Sequence, residues 1–201
     1  MSDILWNILG TAAAYLLGAV PFGVLIAKLC KGIDPRRAGS GNPGATNVAR
    51  LCGLPWGILT LACDLLKGLL PVWIASCHAP GILPSVVALA AVAGHITSPF
   101  LGFHGGKGVA TTIGVLIPLG LAPLLCAVGC CLTVIAITGY VSAGSLVLIS
   151  SLLVFYPLFG RLDLLPLALV FLLILFWTHR ANIHRLLRGE EKSWRKARQT
   201  P

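Results

Sequence analysis

The chain has 201 residues, 57% of them hydrophobic and 10% charged, with a mean hydropathy of +0.91. An average soluble domain carries about 25% charge, so the 6 acidic and 15 basic residues cannot furnish a water-facing surface, and the apolar content excludes a disordered chain. The net charge of +9 suits anionic head groups or anionic substrates, and no nucleic acid partner is expected because no soluble basic domain exists to carry it.

The first predicted element is the apolar stretch 4–29. A spanning helix takes ~20 apolar residues, because lipid offers no partner to a bare backbone amide. The start, MSDILWN, lacks the basic region of a cleavable signal, so this stretch is expected to stay as a span. The polar segment 31–50 follows, with Gly39-Ser40-Gly41-Asn42-Pro43-Gly44-Ala45-Thr46-Asn47 closing on Arg50. Glycine permits turns that aim successive N–H groups at one point, a nest that favours anions. Ser40, Asn42, Thr46 and Asn47 add neutral donors, and Arg50 adds a planar fork suited to phosphate or carboxylate.

The next spans are predicted over 54–77 and 82–101. Asp64 and Lys67 stand three apart in the first of these and can pair on one helix face. Charges inside a membrane are costly and face inward, so the pair reads as functional or as a structural ion pair. His95, near the end of the second, reads as a base or as a buried hydrogen-bonding residue. Phe103-His104-Gly105-Gly106-Lys107-Gly108 then opens onto Val109 and an apolar run. Glycines around a lysine at a helix start make an anion cradle, with the helix dipole adding to the ammonium. It is not a Walker A motif, since Leu101 and Gly108 stand where that pattern needs glycine and Ser/Thr.

The run 109–138 is too long for one crossing: as a single helix it would extend ~45 Å against a core of ~30 Å. Pro118, Gly120 and Pro123 predict a break, leaving two short spans or a re-entrant hairpin. A turn over Gly139–Ser145 leads to spans 142–160 and 163–179. The chain then emerges as His179-Arg180-Ala181-Asn182-Ile183-His184-Arg185 and a basic tail at about 180–201. Helical spacing sets His179, Asn182 and Arg185 on neighbouring faces. The cysteines, several inside apolar runs and none in a CxxC, read as small buried hydrophobes.

Placing the basic segments 28–50 and the tail on one side predicts an all-α integral membrane protein of about seven transmembrane helices. Its N-terminus is then outside and its C-terminus cytoplasmic, with residues 1–201 forming one polytopic domain. That topology brings 31–50, 102–108, 139–145 and 179–191 to the cytoplasmic face, where remote segments can build one site. No nucleophile elbow, HExxH or carboxylate cluster is present, so neither a metal nor another cofactor is expected. The inventory suits an anion-binding transferase or, alternatively, a small anion transporter or channel using the same cationic loops.

Taken together, these segments closely resemble the bacterial acyl-phosphate:glycerol-3-phosphate acyltransferases of the PlsY type. The matching stretches are GAVPFGVLIAKL (18–29), GSGNPGATNVAR (39–50), DLLKG (64–68), FHGGKGVAT (103–111), GYVSAGS (139–145) and HRANIHRLLRGEE (179–191), in the expected order. The resemblance implies transfer of an acyl chain from acyl phosphate to the 1-hydroxyl of glycerol 3-phosphate, the first acylation of phospholipid synthesis, at the bacterial inner membrane. It implies glycerol 3-phosphate contacts from Ser40, Arg50, Lys107, His179 and Asn182, and an acyl-phosphate cradle of Asn42, Thr46, Gly105, Gly106, Gly108 and Ser142. Catalytic parts fall to Ser40, Lys107, His179, Asn182 and His95, with direct attack and no acyl-enzyme. Membrane lipid is an expected partner, and the basic tail would help to dock the soluble enzyme that makes acyl phosphate. Two positions depart from the family: His104 stands where lysine is common, and Ser98 where proline is.

Overall fold

The structure, a computed structural model, describes residues 2–78 and 81–194. Arg195, Lys196 and Arg198, on which the basic-tail expectation partly rests, lie outside the described residues. Among those residues the chain is helical, without strands, and it divides into two compact units at Leu119/Gly120.

The first unit holds α1 (Ser2–Ala19), α2 (Phe22–Lys31), α3 (Ala45–Cys52), α4 (Leu54–His78), α5 (Leu83–Ile96) and α6 (Val109–Leu116). The stretch expected as one helix over 4–29 is broken, because Pro21 has no N–H for the helical ladder. Small residues set the packing. Gly18 and Gly94 let α1 and α5 touch backbone to backbone, against Ala91 and Tyr15, while Gly68 and Gly114 do the same for α4 and α6. Val48, Val72, Ala88, Ala91, Val92 and Val115 are fully enclosed between these helices. Large apolar side chains such as Trp6, Ile8, Leu25 and Trp73 point outward, as a lipid-facing surface requires.

The second unit holds α7 (Leu121–Thr138), α8 (Val141–Leu158), α9 (Leu165–Thr178) and α10 (Arg180–Leu187) around Leu124, Leu148, Leu152, Tyr156, Phe171 and Leu175. Helix α8 begins at Val141, so the turn expected over Gly139–Ser145 is confined to Gly139 and Tyr140, and Ser142 and Ser145 lie in the first helical turns. The α9 and α10 axes bend by 64° at His179.

Among the described residues five segments are long and apolar enough to cross a membrane: Ile4–Lys31, Leu54–His78, Leu83–Leu101, Leu121–Thr138 and Val141–Leu158. The bent pair ending at Leu187 makes a sixth. The expected break in 109–138 is present, yet its first piece, α6, has 8 residues and rises only ~12 Å. Length and apolarity therefore support five or six crossings where the charge pattern had suggested about seven.

Candidate active site

The 39–50 loop is organised from within by Asn47, which is 2% exposed. Its Nδ2 donates to the carbonyls of Pro35, Ala38 and Asn42 at 2.9, 3.0 and 2.9 Å, and its Oδ1 accepts the Ser40 N–H at 2.8 Å. Asn47 thus ties down the loop, whereas the sequence reading had counted it among donors for a ligand. Asn42 Oδ1 accepts the Gly44 N–H at 2.8 Å, which leads the chain into α3. Gly39 and Gly41 take φ of +66° and +73°, the left-handed region that glycine enters without penalty. At the loop's entrance Asp34 accepts from the Arg36 side chain, and this guanidinium pulls its carboxyl down to about 2. On this framework Ser40 is exposed and Asn42, Thr46 and Arg50 are half-buried.

Beneath the second loop lies a buried polar cluster. Lys67 Nζ sits 2.8 Å from Asp64 Oδ1 and donates to the Val20 carbonyl at 2.9 Å, at the break between α1 and α2. Ser98 Oγ donates to the neighbouring Ala19 carbonyl at 2.6 Å. His95 Nδ1 stands 3.8 Å from Asp64 Oδ1 and 3.1 Å from Thr111 Oγ1. The glycine loop is laid over this histidine. Gly105 and Gly106 donate their N–H groups to the carbonyls of Ile96 and His95, and a side chain at 106 would strike the His95 ring. Those two N–H groups were expected to face an anion; their bonding to α5 assigns these glycines to close approach instead. Gly108, with φ +88°, turns the chain into α6, and Lys107 beside it is half-buried. His104 is exposed, its Nδ1 turned onto the Gly102 carbonyl at 2.6 Å. Val20, Pro21, Pro43, Asp64, Lys67 and Gly106 line one small cleft, so both loops of the first unit border the same space.

In the second unit one carboxylate gathers three donors. Glu191 Oε1 accepts from Ser142 Oγ at 2.7 Å and from Asn182 Nδ2 at 2.6 Å, while Oε2 accepts from Arg185 Nε at 2.7 Å. Burial raises the Glu191 pKa, but the bonds from Ser142, Arg185 and Asn182 outweigh it and hold the carboxyl below its ordinary value. Trp194 N–H donates to the Gly139 carbonyl, closing the C-terminal segment onto the start of α8. His179 is buried at the α9–α10 bend, with Nδ1 2.8 Å from the Leu175 carbonyl. A carbonyl only accepts, so Nδ1 carries a proton and Nε2 is the basic nitrogen.

The sequence-predicted residues thus fall into two groups. Ser40, Asn42, Thr46, Arg50, His95, Gly105, Gly106, Lys107 and Gly108 belong to the first unit, and Ser142, His179 and Asn182 to the second. Sequence reasoning gave Glu191 no role and read Ser98 only as a departure from the family pattern. Glu191 had one local signal, an acid pair set inside a run of basic residues; the 49-residue separation from Ser142 left no spacing to read. Among the described residues no three His, Cys, Asp or Glu side chains gather as metal ligands. Cationic and neutral donors around glycine turns can bind and orient phosphate groups and stabilise charge on a departing one.

The family model for glycerol-3-phosphate acyltransferase matches residues 8–189. A protein of that name from Nitratidesulfovibrio vulgaris is 51% identical over 98% of this chain, which spans 59% of that relative's length. One from Desulfovibrio desulfuricans is 49% identical over 98% of this chain and 87% of its own. Among solved structures, the fold matches PlsY, described as an integral membrane glycerol 3-phosphate acyltransferase, in its glycerol 3-phosphate form. The TM-score is 0.89 at 38% identity, over 93% of this chain and 94% of that one. The same protein in its lysophosphatidic acid form matches with a TM-score of 0.87.

Proposed function

The chain belongs to the glycerol-3-phosphate acyltransferase family, and from that premise we propose that it acylates the 1-hydroxyl of glycerol 3-phosphate with acyl phosphate as donor. The hydroxyl oxygen attacks the acyl carbonyl, the bond from carbonyl carbon to phosphate oxygen breaks, and the hydroxyl proton ends on the departing phosphate. The products are 1-acyl-glycerol 3-phosphate and hydrogen phosphate. An acyl phosphate is a mixed anhydride with a good leaving group, so no enzyme nucleophile is needed; orientation alone can contribute ~7–11 kcal/mol.

By the family resemblance, glycerol 3-phosphate is assigned to Ser40, Arg50, Lys107, His179 and Asn182. The acyl phosphate is assigned to Asn42, Thr46, Gly108 and Ser142, with Gly105 and Gly106 seating their loop closely on α5. The reaction is placed at the cytoplasmic face of the inner membrane, where both phosphorylated reactants are reached from water and the acyl tail stays in lipid. The observation that carries this reading is that Pro43 of one loop and Gly106 of the other border one small cleft, which puts two loops suited to anions next to each other.

Purified protein in detergent, offered glycerol 3-phosphate with acyl phosphate, acyl-CoA or acyl-carrier protein, tests the donor. Turnover is expected with acyl phosphate only, and product from acyl-CoA alone would reassign it. EDTA should leave the rate unchanged. Lys107→Ala should remove most turnover from a protein that still inserts and melts cooperatively, because the ammonium facing the substrate phosphates is lost.

A further inference from the structure

The proposed reaction makes no direct use of the buried cluster of Asp64, Lys67, His95 and Thr111, whose exposures are 2%, 3%, 8% and 0%. A buried ion pair is a poor device for stability alone, since packed apolar side chains in its place are often as good or better. Its contacts run outward in two directions. On one side Lys67 holds the Val20 carbonyl and Ser98 the Ala19 carbonyl, at the break where α1 gives way to α2. A few residues on, Gly23 lies directly against the Pro43 carbonyl, within the 39–50 loop. On the other side Asp64 faces His95, whose carbonyl accepts the Gly106 N–H and whose ring lies beneath that glycine.

We propose that this cluster is a strut fixing the distance between the two loops, and that Lys67 and Ser98 are positioning residues for the acyl transfer. Neither touches a substrate. They hold the broken first span, and with it Pro43, at a set distance from the glycine loop laid over His95. The inference rests on the reading that each loop binds one phosphorylated reactant. Each loop keeps its own donors when the strut is weakened, so each reactant still binds, and misalignment of the pair slows the reaction. A misplacement of ~1 Å can cost ~100-fold in rate.

The test uses the full-length protein in detergent. The double variant Asp64→Asn with Lys67→Met removes the charge pair without leaving a lone buried charge, but it also releases the Val20 carbonyl. Its kcat should fall about 100-fold, with KM for glycerol 3-phosphate within about threefold of wild type. Ser98→Ala changes one hydroxyl and should lower kcat about tenfold with the same KM pattern, and it decides the matter if the double variant does not fold. Either folded variant turning over within about threefold of wild type overturns the strut, and so does a rate loss that follows the folded fraction. If wild-type protein uses another acyl donor, the comparison is made with that donor, so an error in the proposed reaction is not mistaken for failure of the strut.

Discussion

Asn47 shows how a residue can be singled out correctly for the wrong task. Its side chain bonds three carbonyls and one N–H spread over Pro35 to Asn42, so its removal strips the buried Pro35 carbonyl and the half-buried Ser40 N–H and Asn42 carbonyl of this partner, while Ala38 keeps the Gly41 N–H. Loss of one such partner costs about 1–3 kcal/mol. Asn47→Ala should therefore lower the melting temperature of the purified protein by several degrees, and binding of glycerol 3-phosphate should weaken with it. Arg50→Lys tests a different property, because lysine keeps the charge and loses the planar fork. KM for glycerol 3-phosphate should rise with kcat little altered, and an unchanged KM would remove Arg50 from the site. Residue types suited to an anion were legible in the sequence because glycine, serine and arginine stand close together at 39–50. The carbonyls that Asn47 serves, and the carboxylate that Ser142 and Asn182 share, were not, since such partners are fixed by the path of the chain in space.

At the scale of elements, hydropathy located the spans to within a few residues, because the apolar run is a local property. The break in the first span was less visible: Pro21 was there to be read, but the carbonyls it disturbs are answered by Lys67 and Ser98, far along the chain. The glycine loop gives a graded prediction. An added methyl at Gly105 meets the backbone carbonyls of His95 and Ile96, which cannot move without shifting α5, whereas at Gly106 it meets an imidazole. Gly105→Ala should thus be the more damaging, with at least a tenfold larger loss of kcat/KM than Gly106→Ala, about 1.4 kcal/mol in transition-state stabilisation. Pairing Gly106→Ala with His95→Ala should return the space but not the rate, because the ring that braces the loop has gone. Equal rates for Gly105→Ala and Gly106→Ala would argue against the loop lying over α5 in this way.

For the whole molecule, acid is the informative perturbation. Glu191 is held below its ordinary value of 4.5 in the folded chain, so it binds fewer protons there than when unfolded. A depressed carboxyl contributes stability that is present above 4.5 and is lost as the pH falls through its folded pKa. Melting temperatures measured from neutral pH down to about 3 should show this acid limb in wild type and a smaller one in Glu191→Gln. An identical limb in the variant would place the linkage elsewhere. The broken first span has a bearing on how the protein is made. The carbonyls of Ala19 and Val20 leave the ribosome long before the side chains that satisfy them, which arrive at positions 98 and 67. At synthesis rates of about 5–20 residues per second, that wait lasts several seconds. During it the Val20 carbonyl has only the Phe22 N–H and the Ala19 carbonyl lacks its Ser98 donor, a polar load that hydrocarbon tolerates poorly. Insertion of this chain is then a deferred act: its opening helix must linger beside water or the translocation machinery until the third long apolar segment is threaded, and a nascent chain cut short before Ser98 should remain extractable from the bilayer.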